Sequence, residues 1–214
     1  MKRDAFLARV SAAIMRSDLP SGPPIGADLP GTGPSDLLGL FRSRARAVNA
    51  VVHGPVSRYS VPRTIVGVAA GHAVASYVAW PDLPVSGITS SMAAGGFELL
   101  GREQGPADPS LVATADLGIT GSLFALAESG SVVLSHGSGR RRLVSLLPPI
   151  HIALVRVETI RWTLAHWARD HPEAVEDTAN LVIVTGPSRT GDIELQLNLG
   201  VHGPKHLHVV LIKK

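Results

Sequence analysis

Several short stretches of this chain are almost unbroken in Val, Ile and Leu: SVVLS (131–135), IHIALVRV (150–157), NLVIVT (180–185) and HLHVVLI (206–212). A strand with one face in water alternates apolar and polar residues, whereas a strand covered on both faces has no reason to alternate. ASYVAW (75–80), closed by Pro81, and LVATA (111–115) read the same way. Helix-like segments lie between them: VPRTIVGVAAGHA (61–73), GSLFALAE (121–128), TIRWTLAHWARDH (159–171) and DIELQLNL (192–199). Strand and helix in alternation predict an α/β fold with an open, mostly parallel sheet flanked by helices.

Ahead of this pattern, residues 2–16 place Phe6, Leu7, Val10 and Ile14 at helical spacing, which predicts an amphipathic N-terminal helix packed on the body or on a second subunit. The latter would make a homo-oligomer. Pro and Gly crowd residues 18–34 and predict an extended linker. Ser35 then offers an N-cap to a helix carrying Leu37, Leu38, Phe41, Ala45 and Val48 on one side, and His53-Gly54-Pro55 reads as a turn. The expected division is a helix and linker over 1–34 and an α/β domain over 35–214.

Of the 214 residues 45% are apolar and 17% charged, which suits a globular domain with a sizeable core. Twenty Lys and Arg against 17 Asp and Glu leave a charge of +3, and the basic residues cluster only at Arg140, Arg141 and Arg142. Without a basic face interleaved with aromatics, a nucleic-acid partner is not expected; the triplet reads as a solvated surface or an anion contact. The sequence contains no cysteine, so no disulfide, thiolate nucleophile or iron–sulfur cluster can be held by its own thiolates. No stretch has the apolar length of a signal peptide or membrane span, which predicts a cytoplasmic protein. His202, His206 and His208 lack a carboxylate at ligand spacing, so no metal is expected.

Residues 185–212 gather the densest polar groups. Behind an apolar strand, Gly186, Ser188, Arg189, Thr190 and Asp192 crowd one turn, and a His202-Gly203-Pro204 corner follows. Backbone N–H groups, hydroxyls and a guanidinium at a strand end suit a small carboxylate or phosphate. The same residues also fit a purely architectural turn, with Arg189 paired to its acidic neighbours. Gly186 and Gly191 are spaced as in a phosphate-binding loop, but Asp192 stands where that loop needs Lys. A second candidate runs from Asp116 to Gly139. Gly118, Thr120 and Gly121 are read at the entry of a helix, where free N–H groups meet an anion, and Glu128 at its end. If desolvated there, Glu128 would suit proton transfer or nucleophilic attack; otherwise it is a surface carboxylate before a helix stop at Ser129-Gly130.

Taken in order, Asp-x-Gly-Ile-Thr at 116–120, Ala-Glu-Ser-Gly-Ser-Val-Val-Leu at 127–134, Leu-Leu-Pro-Pro-x-His-Ile at 146–152, Gly-Pro-Ser-Arg-Thr-x-Asp-Ile-Glu at 186–194 and Gly-Val-His-Gly-Pro-Lys at 200–205 resemble the LUD-domain family, most of all its short lactate-utilization members. The resemblance spans about residues 40–212. It implies a fold similar to the NagB/RpiA/CoA-transferase group and a non-redox accessory role in a cytoplasmic system oxidising L-lactate. Sibling subunits of that system would carry the iron–sulfur clusters. The alternative it implies is a stand-alone CoA-transferase or isomerase-like enzyme acting on an anionic metabolite, with Glu128 of Glu128-Ser129-Gly130 as the attacking carboxylate.

Overall fold

The computed structural model describes residues 3–16, 31, 33–101, 109–137, 139–171, 180–191 and 197–213. The chain divides into two compact units, Met1–Thr32 and Gly33–Lys214. In the first, α1 (Arg3–Arg16) forms where the spacing predicts it, with Phe6, Leu7 and Val10 exposed. Most of the Pro/Gly-rich segment lies outside the described residues.

In the second unit the chain runs α2 (Leu37–Ala47), β1 (Val51–Ser57), α3 (Val61–Gly71), β2 (Ser76–Ala79), α4 (Ile88–Ala94), β3 (Glu98–Leu99), α5 (Pro109–Ala113), β4 (Leu117–Thr120), β5 (Phe124–Leu126), β6 (Ser131–His136), β7 (Ile150–Arg156), β8 (Ile160–Arg161), α6 (Leu164–Asp170), β9 (Asn180–Val184), β10 (Arg189–Gly191), β11 (Leu197–Leu199) and β12 (His206–Lys213). Six strands form a wholly parallel sheet in the order β1-β12-β7-β4-β2-β3. The fold is α/β, as predicted.

Both faces of this sheet are covered, which is why its strands read as continuous apolar runs. On one face Tyr77, Leu117, Ile119, Ile152, Leu154 and Val210 pack against Ile65 of α3 and Met92 of α4. On the other, Val78, Ala153, Val155, Leu207, Val209 and Leu211 meet Phe41 and Ala45 of α2 and, from a second sheet, Ala125, Val132 and Leu134. That second sheet has the order β8-β5-β6-β9, with β6 antiparallel to both neighbours.

The structure corrects several expectations. LVATA is helical in α5: Pro109 occupies the first helical position, and Val112 is buried while Leu111 is exposed, which is one-sided burial. GSLFALAE contains a strand, not a helix. Phe124 and Leu126 pack toward Trp167, and Ala125 and Ala127 join the main core, so burial alternates with the period of a strand. The helix expected over 159–171 is confined to α6, since β8 takes residues 160–161. NLVIVT forms β9, but antiparallel to β6 in the second sheet. Of DIELQLNL, Leu197–Leu199 is strand β11 and the remainder lies outside the described residues. Asp36, not Ser35, caps α2, its carboxylate accepting from the Gly39 amide at 2.7 Å. His53-Gly54-Pro55 is a bulge inside β1, where the register to β12 shifts between His53 and Val56. Proline is tolerated because β1 is an edge strand with no ladder partner on its outer side.

Asp116 ties the amino ends of β2 and β4 together. Its Oδ2 accepts from the amides of Ala75 and Ser76, each at 2.9 Å, and from the Ser76 hydroxyl at 3.3 Å. The Ser76 amide is the chief reason its carboxyl titrates below the usual range, with burial opposing. Asp116→Ala is expected to cost about 1–3 kcal/mol in urea unfolding at neutral pH, because two strand-end amides lose a charged acceptor. An unchanged midpoint would contradict this role.

Candidate functional site

The parallel sheet has two edges with different contents. At its carboxyl edge, beyond β2 and β3, an open pocket of about 780 Å3 is walled by Trp80, Leu83, Val85 and Leu99, with the hydroxyl-bearing Ser86, Thr89 and Ser90 along one side. Ligands of open α/β sheets collect at this edge. No carboxylate or imidazole stands among the described lining residues.

The arginine triplet borders this pocket. Trp80 Nε1 donates to the Arg141 carbonyl at 3.1 Å, and the Arg140 guanidinium lies 5.8 Å from the centre of the Trp80 ring. Arg140 also pairs with Asp82 at 2.6 Å. The Arg140 guanidinium thus stands at the border of the pocket, held by Asp82 and the Trp80 ring, where it can meet an anion. Sequence reasoning singled out the triplet but not Trp80 through Ser90, whose only signal is the Pro/Gly-rich text after a strand.

Of the residues expected to bind, Thr120 ends β4 and Gly121 follows it toward this edge, whereas Gly118 is the second residue of the strand, nearer its amino end; none is among the described residues lining the pocket. Gly121 abuts Pro84, between the lining residues Leu83 and Val85. Thr120 is buried, its hydroxyl 2.9 Å from His151 Nε2. Gly118 serves packing: a Cβ there would strike the Val144 carbonyl oxygen. The expected helix entry at 118–121 is instead the end of a buried strand. His151 is wholly enclosed and its Nδ1 lacks a partner, and burial, with His136 adding to it, pushes the imidazole down to about 3.

Glu128 is exposed on the turn between β5 and β6, so the desolvation required for a reactive carboxylate is absent. The adjoining hydroxyls instead form a chain, Ser129 to Ser131 to Thr185, with 2.7 Å steps.

The second expected group sits at the opposite, amino edge. Ser188 donates its amide to Pro204 at 2.9 Å, just before β12, and accepts from the Gly200 amide at 3.0 Å. Lys205 and His206 donate their amides to Pro149, just before β7. Gly186 has a φ of +79°, and a Cβ there would meet the Val48 carbonyl, so only glycine fits comfortably. Arg189 and Thr190 are in β10, with Arg189 exposed, and His202 is exposed in the following corner. Asp192 lies outside the described residues. The loops at 118–121 and 186–190 therefore open at opposite edges and share no crevice. The sequence argument assumed that β9 belongs to the parallel sheet; it pairs with β6 instead.

With the fold and both edges described, the chain can be set beside known proteins. The profile of the LUD domain matches residues 41–212. The chain belongs to the LUD domain family. Proteins called lactate utilization protein C are among its relatives. One from Halalkalibacterium halodurans is 32% identical over 162 residues, covering 72% of this chain and 70% of its own. Another, from Oceanobacillus iheyensis, is 36% identical over 102 residues, but the match covers 46% of this chain and only 44% of that protein's length. A crystal structure of a DUF162 family protein from Deinococcus radiodurans superposes with a TM-score of 0.63 at 25% identity, covering 85% of this chain and 99% of that one. No helix among the described residues of this LUD domain protein is long and apolar enough to cross a membrane.

Proposed function

We propose that this LUD domain protein takes part in lactate utilization as a non-redox accessory subunit, holding an anionic ligand at the carboxyl edge and docking on iron–sulfur subunits. The observation that carries the binding role is the pocket itself: hydroxyls and apolar side chains line it, the Arg140 guanidinium stands at its border, and no carboxylate or imidazole is among its described lining residues. Such a lining recognises a ligand without supplying general acid–base chemistry. Two further facts support the reading. Relatives matching up to 72% of the chain bear the name lactate utilization protein C, and the chain has no cysteine with which to ligate a cluster. Glu128 is exposed, which does not favour the desolvated carboxylate that a stand-alone transferase would need.

Deleting the gene is expected to abolish growth on L-lactate while leaving growth on glucose intact, and the tagged protein is expected to co-purify with an iron–sulfur subunit. In calorimetry with lactate, pyruvate and phosphate, Arg140→Ala is expected to weaken any anion bound by roughly tenfold. Normal growth on lactate in the deletion strain would overturn the pathway assignment. An affinity unchanged in Arg140→Ala would overturn the pocket assignment.

A further inference from the structure

At the amino edge, away from the pocket, four histidines from three elements converge: His53 of β1, His72 just after α3, and His206 and His208 of β12. His208 is buried and both its ring nitrogens are engaged. Its Nδ1 lies 2.9 Å from His53 Nε2, and its Nε2 lies 3.0 Å from His72 Nε2. The His53 and His208 rings are nearly parallel, at 15°, with centroids 5.2 Å apart, and the His206 ring tilts against His72 at 4.8 Å. No group of His, Cys, Asp or Glu among the described residues is arranged to hold a metal ion. The rings are one another's partners.

Counting hydrogens shows what such a chain can do. An N–H···N bond holds one hydrogen between its two nitrogens; a neutral imidazole brings one and an imidazolium two. Three neutral rings fill both bonds and leave one hydrogen on the outer nitrogen of His53 or His72. One added proton fills the other outer nitrogen, and its charge can stand on any of the three rings as hydrogens shift along the existing bonds. The next proton finds every place taken, so one bond must hold two hydrogens facing each other, and it parts.

We infer that His53, His208 and His72 form a one-proton relay that also clamps this corner of the sheet: it carries a single proton across the three rings and opens on the second, freeing β1 and the end of α3 from β12. The titratable groups facing His208 are His53 from β1, His72 from α3 and His206 from its own strand, with Lys205 acting on His206. The paired strand β7 offers this face only apolar Ile150 and Ile152. Burial first, then the surrounding rings, bring His208 down to about 4. Burial also lowers His53.

The test follows imidazole nitrogen shifts of the full-length, labelled protein from about pH 8 to pH 4, alongside amide hydrogen exchange. The expected result is a first protonation shared among the three rings with exchange unchanged. A second protonation at lower pH should speed exchange in residues 51–57 and 66–72 about tenfold or more, while β4 and β7 stay protected. His72→Asn alters a partly exposed ring and leaves only the His53–His208 bond, so the second step should no longer speed exchange in residues 66–72 while residues 51–57 still open. Three independent titrations, protection lost at once across the whole sheet, or the same pH-dependent opening of residues 66–72 in His72→Asn would each overturn the proposal.

Discussion

Acidification from pH 7 to about 4 is expected to remove several kcal/mol of stability, about half of it through His151. An unfolded histidine takes up a proton near 6.5, whereas His151 in the folded chain resists until about 3 and His208 until about 4. Above 6.5 neither state is protonated at these positions and the stability is complete. Below it the unfolded chain binds protons that the folded chain refuses, so stability falls as pH drops through the window from 6.5 to the folded values. At 1.36 kcal/mol per unit, the full effect, reached only below the folded values, is on the order of 5 kcal/mol for His151 and 3 for His208. Replacing His151 alone would strand the Thr120 hydroxyl, so the informative variant is the double substitution Thr120→Val, His151→Leu, which removes both ends of their hydrogen bond. Urea unfolding at pH 7, 5.5 and 4.5 should show the double variant losing much less stability than wild type. Equal losses in the two proteins would show that His151 is not the acid-sensitive group.

Gly118→Ala is expected to be strongly damaging, costing about 3 kcal/mol or preventing folding. The added Cβ would press on the Val144 carbonyl and approach Pro148 Cγ to 3.3 Å. Relief by a strand shift is barred, because β4 is paired on both sides, to β2 and β7. Gly121→Ala is the control: its Cβ would touch Pro84 at an ordinary 3.5 Å, and an effect within about 1 kcal/mol is expected. Comparing the two by thermal and urea unfolding separates close packing from ligand contact at these neighbouring glycines. Equal stability of Gly118→Ala and wild type would refute the packing role.

Much of the architecture was legible in the chain's text. Helices α2 and α3 and strands β2, β6, β7, β9 and β12 appear close to where apolar periodicity and run length put them. The misread segments are short ones, where a few apolar residues fit either period. At 121–128 the buried Phe, Leu and Ala residues look helical until their neighbours assign alternate side chains to two different cores. The candidate site was legible only in part. Thr120 and Gly121 do lie toward the ligand-binding edge, next to a pocket whose own residues carried little signal, while Gly118 lies nearer the amino end of β4. His53 and His72 gave none, since nothing local connects them to His208.

By itself, then, the sequence determined that the central strands are covered on both faces, that the fold is α/β, and that no cluster is held by this chain's cysteines. Those are consequences of composition and local pattern. Which edge each loop faces was decided only by tertiary structure, because it depends on the partner each strand takes. Strand β9 could have joined the parallel sheet or paired antiparallel with β6, and its five residues read the same either way. Pairing in the second sheet leaves the 186–190 loop beside Pro149 and Pro204, at the edge opposite the pocket. The histidine chain, likewise, exists only because β1 and β12 are neighbours although 155 residues separate His53 from His208.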